Sequence, residues 1–108
     1  MKAVYISCNV STTHIVTEIL DNASVAGYQI FDNVAVRLPL GNHRMNNAVW
    51  PGYNNVVFVQ AIDDAAAATL IEALKEYNRN AFNKDELISV SVWNVDAFFF
   101  GEVDDLSK

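Results

Sequence analysis

Two segments with helical hydrophobic spacing alternate with four strand-like segments in this chain of 108 residues, and this order limits its possible folds most strongly. Residues 2–8 and 55–62 are short runs rich in β-branched and aromatic residues, which is typical of buried strands. Residues 28–38 and 87–95 alternate apolar and polar side chains, as expected of strands with two unlike faces. One helical segment follows the first strand and the other follows the third, so the predicted order is β-α-β-β-α-β.

Each helical segment has an apolar stripe and residues suited to its ends. The first stripe consists of Ile15, Val16, Ile19, Leu20 and Ala23, and the second of Ala67, Leu70, Ile71, Leu74 and Tyr77. Residues 11–13, all hydroxylic, predict an N-cap for the first helix, and Asp63 with Asp64 predicts one for the second. Gly27 predicts the end of the first helix, because glycine adopts left-handed backbone without steric cost.

The predicted order is that of the ferredoxin-like α+β fold, over one domain spanning residues 1–108. We expect a four-stranded antiparallel sheet with both helices on one face. The opposite face would also be apolar, and the chain has no third helix to cover it. We therefore expect another subunit to bury that face.

Three shorter segments of the sequence also carry structural predictions. Asp32 and Asn33 interrupt the second strand and predict a bulge or a bend. Residues 97–100 predict either a short strand or an apolar plug in the core or a subunit interface. Residues 102–108 form an acidic end that we expect to fray.

The composition excludes several classes of protein. Thirteen acidic residues against seven basic ones give a net charge of −6, which argues against nucleic-acid binding. No apolar run approaches the length of a membrane span, and a single cysteine, Cys8, rules out an intramolecular disulfide. The first residues lack the pattern of a signal peptide, so we expect a cytoplasmic protein without membrane insertion.

The segment from residue 39 to residue 53 loses the apolar rhythm and holds both prolines and two of the four glycines, which predicts a functional loop. No acidic residue occurs between Asp32 and Asp63, whereas Arg37, His43 and Arg44 do. Guanidinium groups beside amides suit an anion such as a phosphate or a carboxylate. Alternatively, the two arginines are solvated or pair with acids of another subunit.

The sequence contains little indication of catalysis or of a metal site. The candidate soft ligands are His14, His43 and Cys8, without the paired spacing of a metal-binding motif, although a symmetric trimer could assemble three copies of one histidine. No nucleophile elbow and no glycine-rich phosphate loop of the dinucleotide-binding or P-loop type is present. We predict no catalytic residue and no metal ligand, and the cofactor is left undetermined.

The run Val-Trp-Pro-Gly-Tyr-Asn-Asn-Val at residues 49–56 resembles the PII-like proteins, relatives of the nitrogen regulatory protein PII and the cation-tolerance protein CutA. The element order, the long loop and Gly27-Tyr28 are also similar to their pattern. The resemblance implies a homotrimer with inward-facing sheets, small effectors bound in clefts between subunits, and a loop at 39–53 that contacts a partner protein. It implies that residues 78–86 form the second wall of the cleft, although residues 80–85 lack the glycines of the ATP-binding members.

We therefore predict a trimeric, non-enzymatic PII-like regulator that binds a small anionic effector or a metal complex. Trp50 could stack on a planar ligand. The predicted ligand-binding residues are Arg37, His43, Arg44, Trp50, Gly52 and Lys84.

Two alternatives remain open. A small dimeric ferredoxin-like monooxygenase acting on haem or quinol would use Asn9, His43, Trp50 and Trp93. A structural subunit without any ligand is the other alternative.

Overall fold

The computed structural model describes residues 1–37, Arg44, residues 52–101 and residues 103–104. The elements along the chain are β1 (Lys2–Asn9), a 3-10 turn (Val10–Thr12), α1 (Thr13–Asn22), β2 (Gln29–Val34), β3 (Asn54–Ile62), α2 (Asp64–Arg79), a second 3-10 turn (Lys84–Glu86), β4 (Ser89–Asn94), β5 (Phe99–Phe100) and β6 (Val103–Asp104). The described helices include none long and apolar enough to cross a membrane.

Strands β1 to β4 form one antiparallel sheet in the order β2-β3-β1-β4. In the centre of the sheet, Ile6 of β1 lies opposite Val57 of β3 on one side and Val90 of β4 on the other. Each helix connects two strands that are not neighbours in the sheet, as the split βαβ arrangement requires. The predicted ferredoxin-like α+β fold is confirmed.

The core lies between the sheet and the two helices. Because side chains alternate along a strand, Val4, Ile6 and Cys8 of β1 all point to the helical side, where they are fully buried. They meet the buried members of the two predicted stripes, Val16, Leu20, Ala67, Leu70 and Leu74. Each of the buried leucines contributes about 1.5–3 kcal/mol of hydrophobic stabilisation.

The N-cap of α2 is confirmed, whereas α1 begins differently from the prediction. The carboxylate of Asp63 accepts a hydrogen bond from the Ala66 amide at 2.7 Å. Thr12, which precedes α1, makes no side-chain capping bond, because the chain enters that helix through a 3-10 turn. The side chain of Asn9 caps this turn instead, accepting from the Ser11 amide at 3.1 Å.

Gly27 does not end α1, so that prediction is wrong. The helix ends at Asn22, and Ser24 adopts the left-handed backbone with φ of +60°. The Ser24 amide donates to the Asp21 carbonyl and the Val25 amide donates to the Leu20 carbonyl, both at 3.0 Å, which is the Schellman arrangement. Burial of Val25 accompanies the motif and holds serine in this strained position.

The second strand ends earlier than residue 38, and its interruption is a bulge. The register of β2 against β3 shifts between Phe31 and Val34, and Asn33 has φ of +58°. Beyond β2, Val36 forms an isolated antiparallel bridge with Arg44, with backbone hydrogen bonds of 2.7 and 2.9 Å. The bridge attaches the chain at Arg44 to the segment that follows β2.

Near the C-terminus, β5 and β6 form a small second sheet. Phe99–Phe100 pairs with Val103–Asp104, so the strand alternative for residues 97–100 is correct and part of the acidic end is paired. Both phenylalanines of β5 are exposed, which excludes a core plug within this chain. Residues 102 and 105–108 lie outside the described residues.

Candidate ligand-binding site

Four aromatic side chains cross the sheet face that points away from the helices. Phe58 of β3 stacks on Trp93 of β4, with ring centroids 5.9 Å apart and planes at 25°. Tyr5 of β1 meets the same phenylalanine edge-on at 6.3 Å, and Phe31 of β2 approaches it at 6.3 Å. We call these four residues the aromatic stripe.

The aromatic stripe is only partly covered. Phe31 retains 44% of its accessible surface and Trp93 retains 46%, although each packs on Phe58. Both described helices pack on the opposite face of the sheet. The described part of this chain therefore leaves an apolar surface on the open face, as the element order predicted.

Arg44 is the centre of a polar cluster at the end of the sheet where β1 finishes and β3 begins. Its side chain is only 6% exposed. Nη1 donates to the Asn54 carboxamide oxygen at 2.9 Å, and Nη2 donates to the Asp85 backbone carbonyl at 3.0 Å. Nη2 also contacts the Asp85 carboxylate at 3.4 Å, and the amide of Asn54 donates to the Ser7 hydroxyl at 2.8 Å. We call Ser7, Arg44, Asn54 and Asp85 the arginine cluster.

Strand periodicity explains why these groups meet. Ser7 and Asn54 fall on the same face of their strands as the aromatic stripe, and both are buried. A buried polar group needs a hydrogen-bond partner, and the guanidinium of Arg44 provides one for the carboxamide oxygen of Asn54. The acid that pairs with Arg44 belongs to the same chain, so the arginine is neither solvated nor dependent on another subunit for an acidic partner.

A second polar cluster lies on the helical side of the same strand ends. The amide of Asn55 donates to the Thr13 hydroxyl at 3.0 Å, and the carboxamide oxygen of Asn55 accepts from the Asn33 amide at 2.9 Å. The Cys8 sulfur lies 3.8 Å from the Thr13 hydroxyl oxygen and 3.7 Å from the Asn55 carbonyl oxygen. The cluster fixes the β2 bulge against β3 and the start of α1.

Burial raises the pKa of the Cys8 thiol above its ordinary value of 9.0, and this outweighs the opposite effects of the Thr13 hydrogen bond and the Arg44 charge. The thiol is therefore protonated at neutral pH and is a poor nucleophile and a poor metal ligand. Across the residues that the structure describes, no group of three or more His, Cys, Asp or Glu side chains could hold a metal ion.

The predicted ligand-binding residues differ in burial and in the element that carries them. Arg44 is buried in the arginine cluster, and Arg37 is exposed one residue beyond the backbone bridge. Lys84 is exposed in the 3-10 turn directly before Asp85, and Gly52 has φ of +89°, a conformation that requires glycine. His43 and Trp50 lie outside the described residues.

Sequence reasoning did not find Ser7 or Asp85 as members of the site, whereas Asn54 is one of the amides noted beside the arginines in the segment without acidic residues. One available signal was the pair Asn54-Asn55 at the start of an otherwise apolar strand, since buried amides predict polar partners nearby. No comparable signal marks Asp85, which lies 41 residues from Arg44 in the chain.

A cavity of about 200 Å³ lies where β2 begins and β3 ends, away from the arginine cluster. Tyr28, Phe58 and Phe98 provide aromatic walls, and Gln29 and Gln60 provide hydrogen-bonding groups. Phe58 belongs both to the aromatic stripe and to the lining of this cavity.

Comparison with solved structures finds the same fold in PII-like proteins. CPII, a nitrogen regulatory PII-like protein from Thiomonas intermedia K12 bound to ADP, AMP and bicarbonate, is similar over 87% of this chain and 88% of its own, with a TM-score of 0.64 and 19% identity. CPII bound to ADP, AMP and acetate matches 84% of this chain and 81% of its own, with a TM-score of 0.60 and 21% identity.

A PII-like signaling protein from Thermus thermophilus is also similar, over 87% of this chain and 85% of its own, with a TM-score of 0.60 and 18% identity. No protein-family model and no curated protein matches the chain. The similarity to the three solved structures confirms the predicted PII-like fold.

Proposed function

We propose that this chain is a PII-like regulatory protein that assembles as a cytoplasmic homotrimer and binds a small anionic effector in clefts between subunits. The observation that carries the proposal is the PII-like fold over 84–87% of the chain, with a polar cluster centred on a buried arginine at one end of the sheet. In this proposal, effector binding controls how the 39–53 loop contacts a partner protein.

The aromatic stripe supports assembly through the open sheet face. Exposed contiguous apolar surface on a folded chain favours a protein interface, and Phe31 and Trp93 supply such a surface at two edges of the sheet. Three sheets facing one axis would bury the stripe of every protomer. Symmetric association of identical chains is the common solution for such a face.

The arginine cluster supports an anion as the effector. Arg44 offers a planar guanidinium that matches the geometry of carboxylate and phosphate groups. Arg37 and Lys84 are exposed cations near the two segments that meet at Arg44. The similar CPII structures are bound to ADP, AMP, bicarbonate and acetate, each of which presents a phosphate or carboxylate-like group.

The presence of His43 and Trp50 in the 39–53 segment supports its proposed role in partner binding. Both side chains can contribute to protein interfaces, tryptophan most strongly. Arg44 and the bridge to Val36 attach the same segment to the sheet, which provides a physical connection between an effector at the arginine cluster and the proposed contact surface.

The haem or quinol monooxygenase alternative is not favoured. The similar structures described above are PII-like proteins. Two residues on which that alternative depends also have structural roles: Asn9 caps the 3-10 turn before α1, and Trp93 stacks on Phe58.

Light scattering and thermal unfolding test the proposal together. We expect a trimeric mass at micromolar concentration and a higher melting temperature with at least one of ADP, AMP, bicarbonate, acetate or a divalent metal complex. A ligand at one hundred times its dissociation constant stabilises the folded state by about 2.7 kcal/mol. A stable monomer, or no thermal shift with any of these compounds, would contradict the proposal.

A further inference from the structure

The contact between Arg44 and the Asp85 carboxylate differs from the other contacts of this guanidinium. The two shorter hydrogen bonds, at 2.9 and 3.0 Å, reach neutral oxygens of Asn54 and of the Asp85 backbone. The carboxylate contact is longer, at 3.4 Å, and its side chain is 54% exposed, whereas the side chain of Arg44 is 6% exposed. The charged partner of a buried arginine thus lies on the solvent side.

We propose that the Asp85 carboxylate holds an anion-binding position on Arg44, and that a phosphate- or carboxylate-bearing ligand binds there by displacing it. The inference rests on the proposed function, since it specifies how an anionic effector would reach the arginine cluster. Asp85 is then an internal competitor of the effector.

The two neutral contacts make such an exchange feasible. Asn54 and the Asp85 carbonyl hold the guanidinium in the same place whether or not the carboxylate is present. A buried guanidinium without a counter-charge is unfavourable, so the position left by Asp85 selects an anion over a neutral ligand. Phosphate and carboxylate oxygens fit it because they form short, charge-assisted hydrogen bonds with arginine.

The turn that carries Asp85 is stabilised independently of Arg44. The side chain of Asn83 accepts from the amides of Asp85 and Glu86 at 2.9 and 3.2 Å. The Tyr77 hydroxyl donates to the Glu86 carbonyl at 2.8 Å. The turn therefore keeps its backbone without the contact between Arg44 and the Asp85 carboxylate, and the exposed Lys84 precedes Asp85 in the same turn.

Asp85→Asn tests the competition, with Asp21→Asn as the matched control. Both variants remove one negative charge from an exposed side chain, but Asp21 lies at the end of α1 remote from Thr13 and the arginine cluster. Calorimetric titration with ADP and with inorganic phosphate measures the effect. We expect Asp85→Asn to bind about fivefold more tightly than wild type, the upper end of what a partly exposed ion pair contributes, and Asp21→Asn to bind as wild type does.

Chemical modification locates the anion. Phenylglyoxal reacts with accessible guanidinium groups, and mass spectrometry separates Arg44 from the exposed Arg37 in the same sample. We expect Arg44 to react faster in Asp85→Asn than in wild type, and phosphate or ADP to slow this reaction while Arg37 changes little. Protection of Arg44 by the anion supports the position proposed for it.

The outcomes separate this inference from the proposed function. Equal or weaker anion binding by Asp85→Asn relative to Asp21→Asn, or Arg44 modification that neither anion slows, overturns the inference even if the wild-type protein is a trimer that responds to ligands. Anion binding by Asp85→Asn with protection of Arg44, in a protein that is monomeric, supports the inference and contradicts the proposed trimeric regulator.

Discussion

Replacing Trp93 with threonine tests whether the aromatic stripe holds protomers together. Threonine is β-branched, so it preserves the preference for a strand while removing the indole. Trp93 lies on the open sheet face with 46% of its surface exposed, and an interface at that face would bury what remains. We expect Trp93→Thr to weaken the proposed trimer strongly.

The magnitude follows from the exposed area. A tryptophan buries up to about 250 Å² in total, so its exposed 46% corresponds to about 115 Å². At about 25 cal/mol per Å², burial of this surface contributes about 3 kcal/mol per protomer. Threonine regains little of it, and three copies sum to about 9 kcal/mol per trimer. The concentration at half-dissociation of a trimer scales with the square root of its dissociation constant, so with a factor of ten for every 1.4 kcal/mol it rises roughly a thousandfold.

Analytical ultracentrifugation over a dilution series measures this shift, and Val92→Thr is the control. Val92 is the preceding residue of β4, has 37% of its surface exposed, and points to the helical side of the sheet. Its replacement should leave the association unchanged. Circular dichroism at the same concentrations checks that both variants stay folded, because Trp93→Thr also loses the stacking on Phe58.

Two results would refute this reasoning. Equal dissociation of the Trp93→Thr and wild-type proteins would show that the open face is not the interface. Equal weakening by Val92→Thr and Trp93→Thr would show that association depends on the strand and not on the face that carries the stripe.

Three further substitutions give defined expectations for stability in urea unfolding. Arg44→Lys loses about 1–2 kcal/mol, because an ammonium group cannot span the Asn54 and Asp85 oxygens as the guanidinium does. Asp63→Ala loses about 1 kcal/mol through the α2 capping bond to Ala66. Folding raises the pKa of Cys8 above its ordinary value of 9.0, so the protonated thiol contributes fully to stability below pH 9.0 and this contribution is lost as the pH rises through the folded-state pKa. We therefore expect Cys8→Ala to lose less stability at alkaline pH than wild type does.

Each of these has a matched comparison. Arg37→Lys changes an exposed arginine and should alter stability by less than about 0.5 kcal/mol, so an equal loss at Arg37 and Arg44 would contradict the role of the cluster. Asp63→Asn removes the same charge as Asp63→Ala but keeps a side-chain oxygen that can accept from the Ala66 amide, and an equal cost would show that capping is not the cause. Parallel alkaline profiles of wild type and Cys8→Ala would show that the thiol does not titrate as described.

The local pattern of the chain predicted most of the fold. The spacing of Leu70 and Leu74 and the carboxylate of Asp63 identified α2 and its start, and the structure confirms both. The end of α1 was predicted at Gly27, but the helix ends at Asn22, because the buried Val25 stabilises the left-handed backbone of Ser24. Propensity rules describe single residues, whereas tertiary burial decided this turn.

The candidate site was predicted only in part. Arg44 was predicted from the positive charge of its segment, and Lys84 from the resemblance to PII-like proteins. The structure places Arg44 in a cluster with Asp85 and Lys84 in the same turn as Asp85, and ligand binding by either residue stays a prediction. Ser7 was not identified, since a serine in a strand is an ordinary residue until register places it beside Asn54. The roles of His43 and Trp50 stay predictions.

The sequence by itself determined the order of the elements, the residues that face the core and the apolar nature of the open sheet face. These properties follow from periodicity over a few residues, because side-chain direction repeats with each strand step and helical turn. Tertiary structure alone decided that Arg44 meets Asp85, 41 residues away, and that Asn54 meets Ser7, 47 residues away. Such contacts depend on strand register and on where a loop meets the sheet, and no local pattern encodes either.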